Sequence, residues 1–174
     1  MSPLRILGRT VALLCLSCSI SGSSAPPIWI PAPAEDAVAP AIERTGWVTD
    51  AADILPDEVE QRLTAKLAKF ERRTLHQMVV VTVPTLAGRD VAGVANDLGN
   101  AWHIGRAGHD DGIVLLVAPN DRRVRISTAD GIMELLPDEV CRRIIDETMV
   151  PYFREGDLAG GTEAGADAII AHFG

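Results

Sequence analysis

Ile113–Thr128 reads IVLLVAPNDRRVRIST. Its first six residues, Ile113–Ala118, are all apolar, too continuous a run for a strand with one wet face, so they predict a strand buried on both sides. Pro119-Asn120-Asp121-Arg122 supplies turn chemistry, and Arg123–Thr128 returns with Val124, Ile126 and Thr128 at period two. The pair reads as an antiparallel hairpin. A strand buried on both faces needs a cover on each, and the flanking sequence supplies helices. Asp90–Trp102 spaces Val91, Val94, Ala95, Leu98 and Trp102 as one helical face, with Gly99 weakening its end. Pro56–Thr74 does the same with Val59, Leu63, Leu67 and Phe70, starting on Pro56 and the acids Asp57, Glu58 and Glu60. Between these helices Gln77–Val83 is a second short, β-branched strand buried on both faces.

Downstream, a helix is expected over Pro137–Met149, with Val140, Ile144, Ile145 and Met149 inward and Pro151 as its stop. A last helix is expected over Asp157–His172, capped by Asp157 and packing through Ala164, Ala168 and Ile169. Helix, strand, helix, hairpin, helix, helix gives an α/β fold, an α/β/α sandwich with a small mixed sheet and helices on both faces.

The chain has 174 residues, 47% apolar and 23% charged, which suits one domain. Its net charge of −8, with lysine and arginine scattered, provides no basic stripe for a phosphate backbone, so no nucleic-acid partner is expected. The N-terminus places Arg5 and Arg9 ahead of an apolar run, Val11–Ile20, followed by small residues, the pattern of a secretory signal peptide over residues 1–25. Cleavage could follow Ser23-Ser24-Ala25 or Ser19-Ile20-Ser21; an uncleaved segment would be an N-terminal anchor and the sole route to the membrane. Cys15 and Cys18 lie inside this apolar stretch, which argues against redox or metal chemistry. Residues 26–45, rich in proline and alanine, read as an extended spacer, and residues 46–174 as the folded domain. Cys141, beside the inward Val140, reads as a core thiol.

Val48–Leu55 (VTDAADIL), Ala101–Gly105 continuing through Gly108–Val117, Arg123–Ile126, Leu136-Pro137-Asp138 and Pro151–Asp157 (PYFREGD) stand in one order across residues 46–173. Together they resemble the TPM domain family. The resemblance implies an α/β/α sandwich and an envelope or lumenal location. It also implies acid phosphatase activity or a calcium or other divalent ion in some members, thylakoid-lumen photosystem repair in a plant relative, and a receptor accessory role in an animal one. Two stretches depart from the family pattern. In the glycine-x-glycine-x-glutamate stretch after the hairpin, Ala129 replaces the first glycine and Met133 the glutamate, with Glu134 one residue later; in the Trp-Gly-Ile-Gly element, His103 replaces the first glycine.

Asp110 and Asp111 precede the first hairpin strand, and Asp130 follows the second. In an antiparallel pair these ends share an edge, so the three acids can meet. With Asp50 from the N-terminal segment they form the candidate metal site, for calcium or magnesium, since carboxylate oxygens suit a hard cation. The alternative reading of Asp110-Asp111-Gly112 is a solvated turn. His109 on the same loop reads as a surface residue, and His76, His103 and His172 have no partner identifiable in the sequence. A catalytic base and phosphate clamp cannot be assigned, although Arg106 could hold a phosphate. The expected function is therefore a secreted or periplasmic module that binds a divalent cation and an envelope protein partner. The alternative is a metal-assisted, phosphatase-like hydrolase acting on a phosphoester.

Overall fold

A computed structural model describes residues 42–174; the expected signal segment and most of the spacer lie outside the described residues. The elements run β1 (Val48–Asp50), α1 (Asp57–Thr74), β2 (Gln77–Thr82), α2 (Val91–Ala101), β3 (Gly112–Ala118), β4 (Arg123–Thr128) and a 3-10 turn (Asp130–Ile132). They continue as α3 (Asp138–Arg143), a π-helical turn (Ile144–Met149), α4 (Val150–Glu155) and α5 (Leu158–His172). The described strands form one sheet in the order β1-β2-β3-β4, parallel from β1 to β3, with β4 antiparallel to β3. The expected mixed sheet and hairpin are both present.

Strand side chains alternate between two cores, as the pleat requires. Met78, Val80, Ile113, Leu115, Val117 and Ile126 pack with Leu63, Leu67 and Phe70 of α1 and with Met149 and Ile169 beyond the hairpin. Val79, Val81, Val114 and Leu116 face the other way, onto Val94, Ala95 and Leu98 of α2. Each fully buried Val or Leu contributes about 1.5–3 kcal/mol, so the continuous apolar runs of β2 and β3 are what bind the three layers together.

Both parallel connections step in the same direction across the sheet, yet α1 and α2 cover opposite faces. Two right-handed crossovers would put both helices on one face, so one of the two is left-handed, against the usual preference. Strand and helix periodicity carries no information on this point.

Two expectations are corrected. Pro151 does not stop the third helix: helical backbone continues from α3 through the π-helical turn into α4, where Pro151 sits in the first turn. The π turn bonds Val150 N–H to the Ile145 carbonyl, and this wider winding accommodates a residue with no N–H to donate. In α5, Asp157 caps the helix as expected, accepting from Gly160 N–H at 2.7 Å. However, the buried stripe is Gly161, Thr162, Gly165, Ala166 and Ile169, so that of the three expected contacts Ile169 alone is fully buried. The helix is small-sided nearly all round, and the neighbouring α4 decides which side goes in. Among the described residues no helix is long and apolar enough to cross a membrane.

Candidate functional site

The loop from Ile104 to Asp111 returns the chain from α2 to the start of β3, and the turn after β4 lies against it. Gly131 N–H donates to the Asp110 carbonyl at 2.9 Å. A Cβ on Gly131 would stand 1.8 Å from the His109 carbonyl oxygen, so only glycine allows the two backbones this contact. Asp110 itself takes a left-handed conformation, φ 47°, which an aspartate tolerates better than most residues.

The hairpin geometry thus brings Asp110 and Asp130 to one cleft of about 400 Å³, which Asn96, Asn100, Ser127 and Thr128 also line. Asn96 and Asn100 project from α2 at the i, i+4 spacing that places them on one face. Ser127 Oγ donates to Asn96 Oδ1 across the cleft wall. Asp110 and Asp130 are both exposed. Among the described residues neither carboxylate has an ion-pair partner.

Asp111 goes elsewhere. Its side chain is 2% exposed and accepts from Arg106 N–H at 2.7 Å and from the Arg106 guanidinium at 2.7 Å, with His76 Nδ1 at 3.2 Å. Burial pushes its carboxyl up, but the Arg106 backbone and guanidinium bonds and the His76 contact outweigh burial and hold it below the ordinary range. Asp111 is therefore the anchor of the loop and faces away from the cleft partners. The β2–β3 register explains His76: Gln77 pairs with Gly112, so the residues before them, His76 and Asp111, fall side by side. That signal was available once the two apolar runs were taken as parallel neighbours, but nothing local to His76 announces it.

Asp50 is also separate. It ends β1, level with Thr82 and Val117, whereas Asp111 precedes the opposite end of β3. At about 3.3 Å per residue the two levels are roughly 20 Å apart. Its carboxylate accepts from Leu55 N–H at 2.7 Å and from the Thr82 hydroxyl, which fixes the turn into α1. Of the four expected ligands, then, the fold gathers Asp110 and Asp130, binds Asp111 beside them to Arg106, and carries Asp50 to the far edge. Sequence reasoning missed Asn96, Asn100 and Ser127, because their joint placement depends on α2 lying over β4.

Among the described residues no three His, Cys, Asp or Glu side chains group closely enough to hold a metal ion alone. A cation at this cleft would need amide, hydroxyl, backbone or water oxygens beside the two carboxylates, which calcium and magnesium accept. His109 is exposed, as expected, and Cys141 is buried with its thiol pushed up to about 11, chiefly by burial. The core reading of Cys141 therefore holds.

The sequence profile of the TPM domain matches residues 48–172. The chain belongs to the TPM domain family. Among solved structures, the N-terminal domain of a P. gingivalis protein is 29% identical, with a TM-score of 0.70, covering 74% of this chain and 82% of that one. The N-terminal domain of the Corynebacterium glutamicum cg2496 protein is 16% identical, with a TM-score of 0.58 over 74% of this chain and 80% of that one. The BA42 protein of Bizionia argentinensis is 18% identical, with a TM-score of 0.59 over 69% and 81%. The last two share the fold alone. No curated protein matches the chain. In this TPM domain Ala129 leads into the 3-10 turn, and the side chain of Met133 is exposed.

Proposed function

We propose that this TPM domain is an envelope interaction module that binds a divalent cation between Asp110 and Asp130. The observation that carries the reading is two exposed carboxylates on adjoining loops, without ion-pair partners among the described residues, facing the amide and hydroxyl oxygens of Asn96, Asn100 and Ser127. Neighbouring carboxylates repel when bare, and a hard divalent ion relieves that repulsion while accepting the neutral oxygens. Calcium or magnesium fits this donor set better than zinc, which prefers nitrogen and sulfur.

A phosphatase-like use of the cleft has less support. Among the described residues no arginine, lysine or histidine lines it, and Arg106, the arginine nearest in sequence to Asp110, is engaged by Asp111. Phosphoryl transfer relies on a cationic clamp that a cation alone would have to supply. A secreted or periplasmic location, or an N-terminal anchor if the segment is uncleaved, rests on the arginine-flanked apolar run at residues 5–20.

Thermal unfolding of the full chain after chelation, with and without millimolar calcium, magnesium or zinc, tests the cation. An ion present at a hundred times its Kd stabilises by about 2.7 kcal/mol, a shift of several degrees. Calcium or magnesium is expected to give this shift, and Asp110→Asn/Asp130→Asn to lose it, while Asp50→Asn keeps it. No shift with any of the metals would overturn the reading.

A further inference from the structure

The opposite end of the hairpin carries a second cavity of about 570 Å³, within the size range of small-molecule sites, about 300–1,000 Å³. The half-buried side chains of Val124, Phe153 and Leu158 form an apolar floor, and the exposed Arg122, Arg123 and Arg154 stand around it. In a chain of net charge −8, these three arginines have no carboxylate partner among the described residues. Of the acids nearest in sequence, Asp121 accepts from Leu86 N–H at 2.7 Å and Asp157 caps α5, while Glu155, adjacent to Arg154, is exposed and makes no ion pair among the described residues. The strands separate this cavity from the Asp110–Asp130 cleft, which lies at the other end of β3 and β4.

An apolar hollow would be closed by a neighbouring side chain if core packing were its purpose, and solvated arginines gain nothing by clustering, since like charges repel. Their planar forks match carboxylate and phosphate oxygens in pairs. From this juxtaposition we propose that the cavity between the β3–β4 turn and α4 binds an amphiphile, an oxyanion head on an apolar chain. The head meets Arg122, Arg123 and Arg154, and the chain lies on Val124, Phe153 and Leu158. Carboxylate and phosphate heads share this chemistry, and the experiment separates them.

Octanoate, octyl phosphate, octanol and inorganic phosphate are titrated into the full-length protein by calorimetry and by amide chemical shifts. Octanoate, octyl phosphate or both should bind, with shifts concentrated at residues 117–124 and 150–158. Octanol and inorganic phosphate should each bind at least about tenfold more weakly, because each keeps half of the interaction. Whichever head binds tighter names the class. Arg122→Gln/Arg154→Gln should weaken the anionic amphiphile about tenfold or more and leave octanol unchanged. If that variant does not keep the wild-type unfolding temperature, Arg154→Gln alone carries the same comparison. Octanol binding as tightly as octanoate, shifts centred elsewhere, unchanged affinity in the arginine variants, or no binding of either anion would each overturn the proposal.

Discussion

His103 holds a left-handed backbone conformation, φ 52°, at the position where the family's Trp-Gly-Ile-Gly pattern has glycine. The turn from α2 into the cleft loop thus takes a conformation that glycine adopts freely, and an L side chain here carries its steric cost. His103→Gly should relieve that cost, partly offset by the extra freedom of glycine in the unfolded chain. The expected net gain is about 0.5–1 kcal/mol, read by urea unfolding with an unchanged slope. A loss of stability would mean that the imidazole contributes more than its backbone costs. At this scale the sequence was readable where one residue's own neighbours settle the matter. Cys141 and Phe70 are buried and His109 is exposed, as their local patterns indicate. It was not readable for His76, whose partner Asp111 is 35 positions away and is brought near by strand register.

The helices show the same division between local signal and neighbour. α1 buries Val59, Leu63, Leu67 and Phe70, all four of the periodic positions, because a strong apolar stripe leaves one way to pack. In α5 the small residues offer several faces, and the crossing with α4 selects Gly161. A Cβ there would come within 2.5 Å of the Phe153 ring and 3.0 Å of Tyr152 Cβ. Alanine is about 1 kcal/mol better than glycine inside an isolated helix. Gly161→Ala is nevertheless expected to destabilise by about 1–2 kcal/mol, since a closely packed ring must move. Calorimetric unfolding checks the sign; a stabilised variant would show that the α4–α5 crossing yields easily. The π turn at Ile144–Met149 was hidden for a related reason: proline chemistry predicts a break, and the wider winding that tolerates Pro151 leaves no mark in side-chain periodicity.

For the whole molecule, two buried or half-buried carboxylates tie distant segments and set the response to acid. Asp111 joins the cleft loop to β2, and Glu163 of α5 binds Arg62 at 2.8 Å and Lys66 at 3.0 Å on α1. The Arg62 bond first, against the opposing effect of burial, and then Lys66 hold the Glu163 carboxyl at about 2 rather than the ordinary 4.5. Both folded-state pKa values lie below the unfolded ones. Their contribution is therefore complete above the unfolded values and is lost as pH falls through the folded ones. Unfolding temperature should drop between about pH 5 and about pH 2, and Asp111→Asn with Glu163→Gln should flatten that drop while lowering stability at neutral pH. An unchanged acid profile would assign the sensitivity to other groups. The sequence by itself determined the hairpin, the two-faced sheet, the α1 and α2 faces and the approach of Asp110 to Asp130, because periodicity reports burial and antiparallel pairing fixes which ends meet. Only the tertiary structure decided that α1 and α2 take opposite faces, that Asp50 lies at the far edge, and that Asp111 is bound by Arg106 and His76. Those outcomes depend on crossover hand and on register between separated strands, which no local pattern encodes.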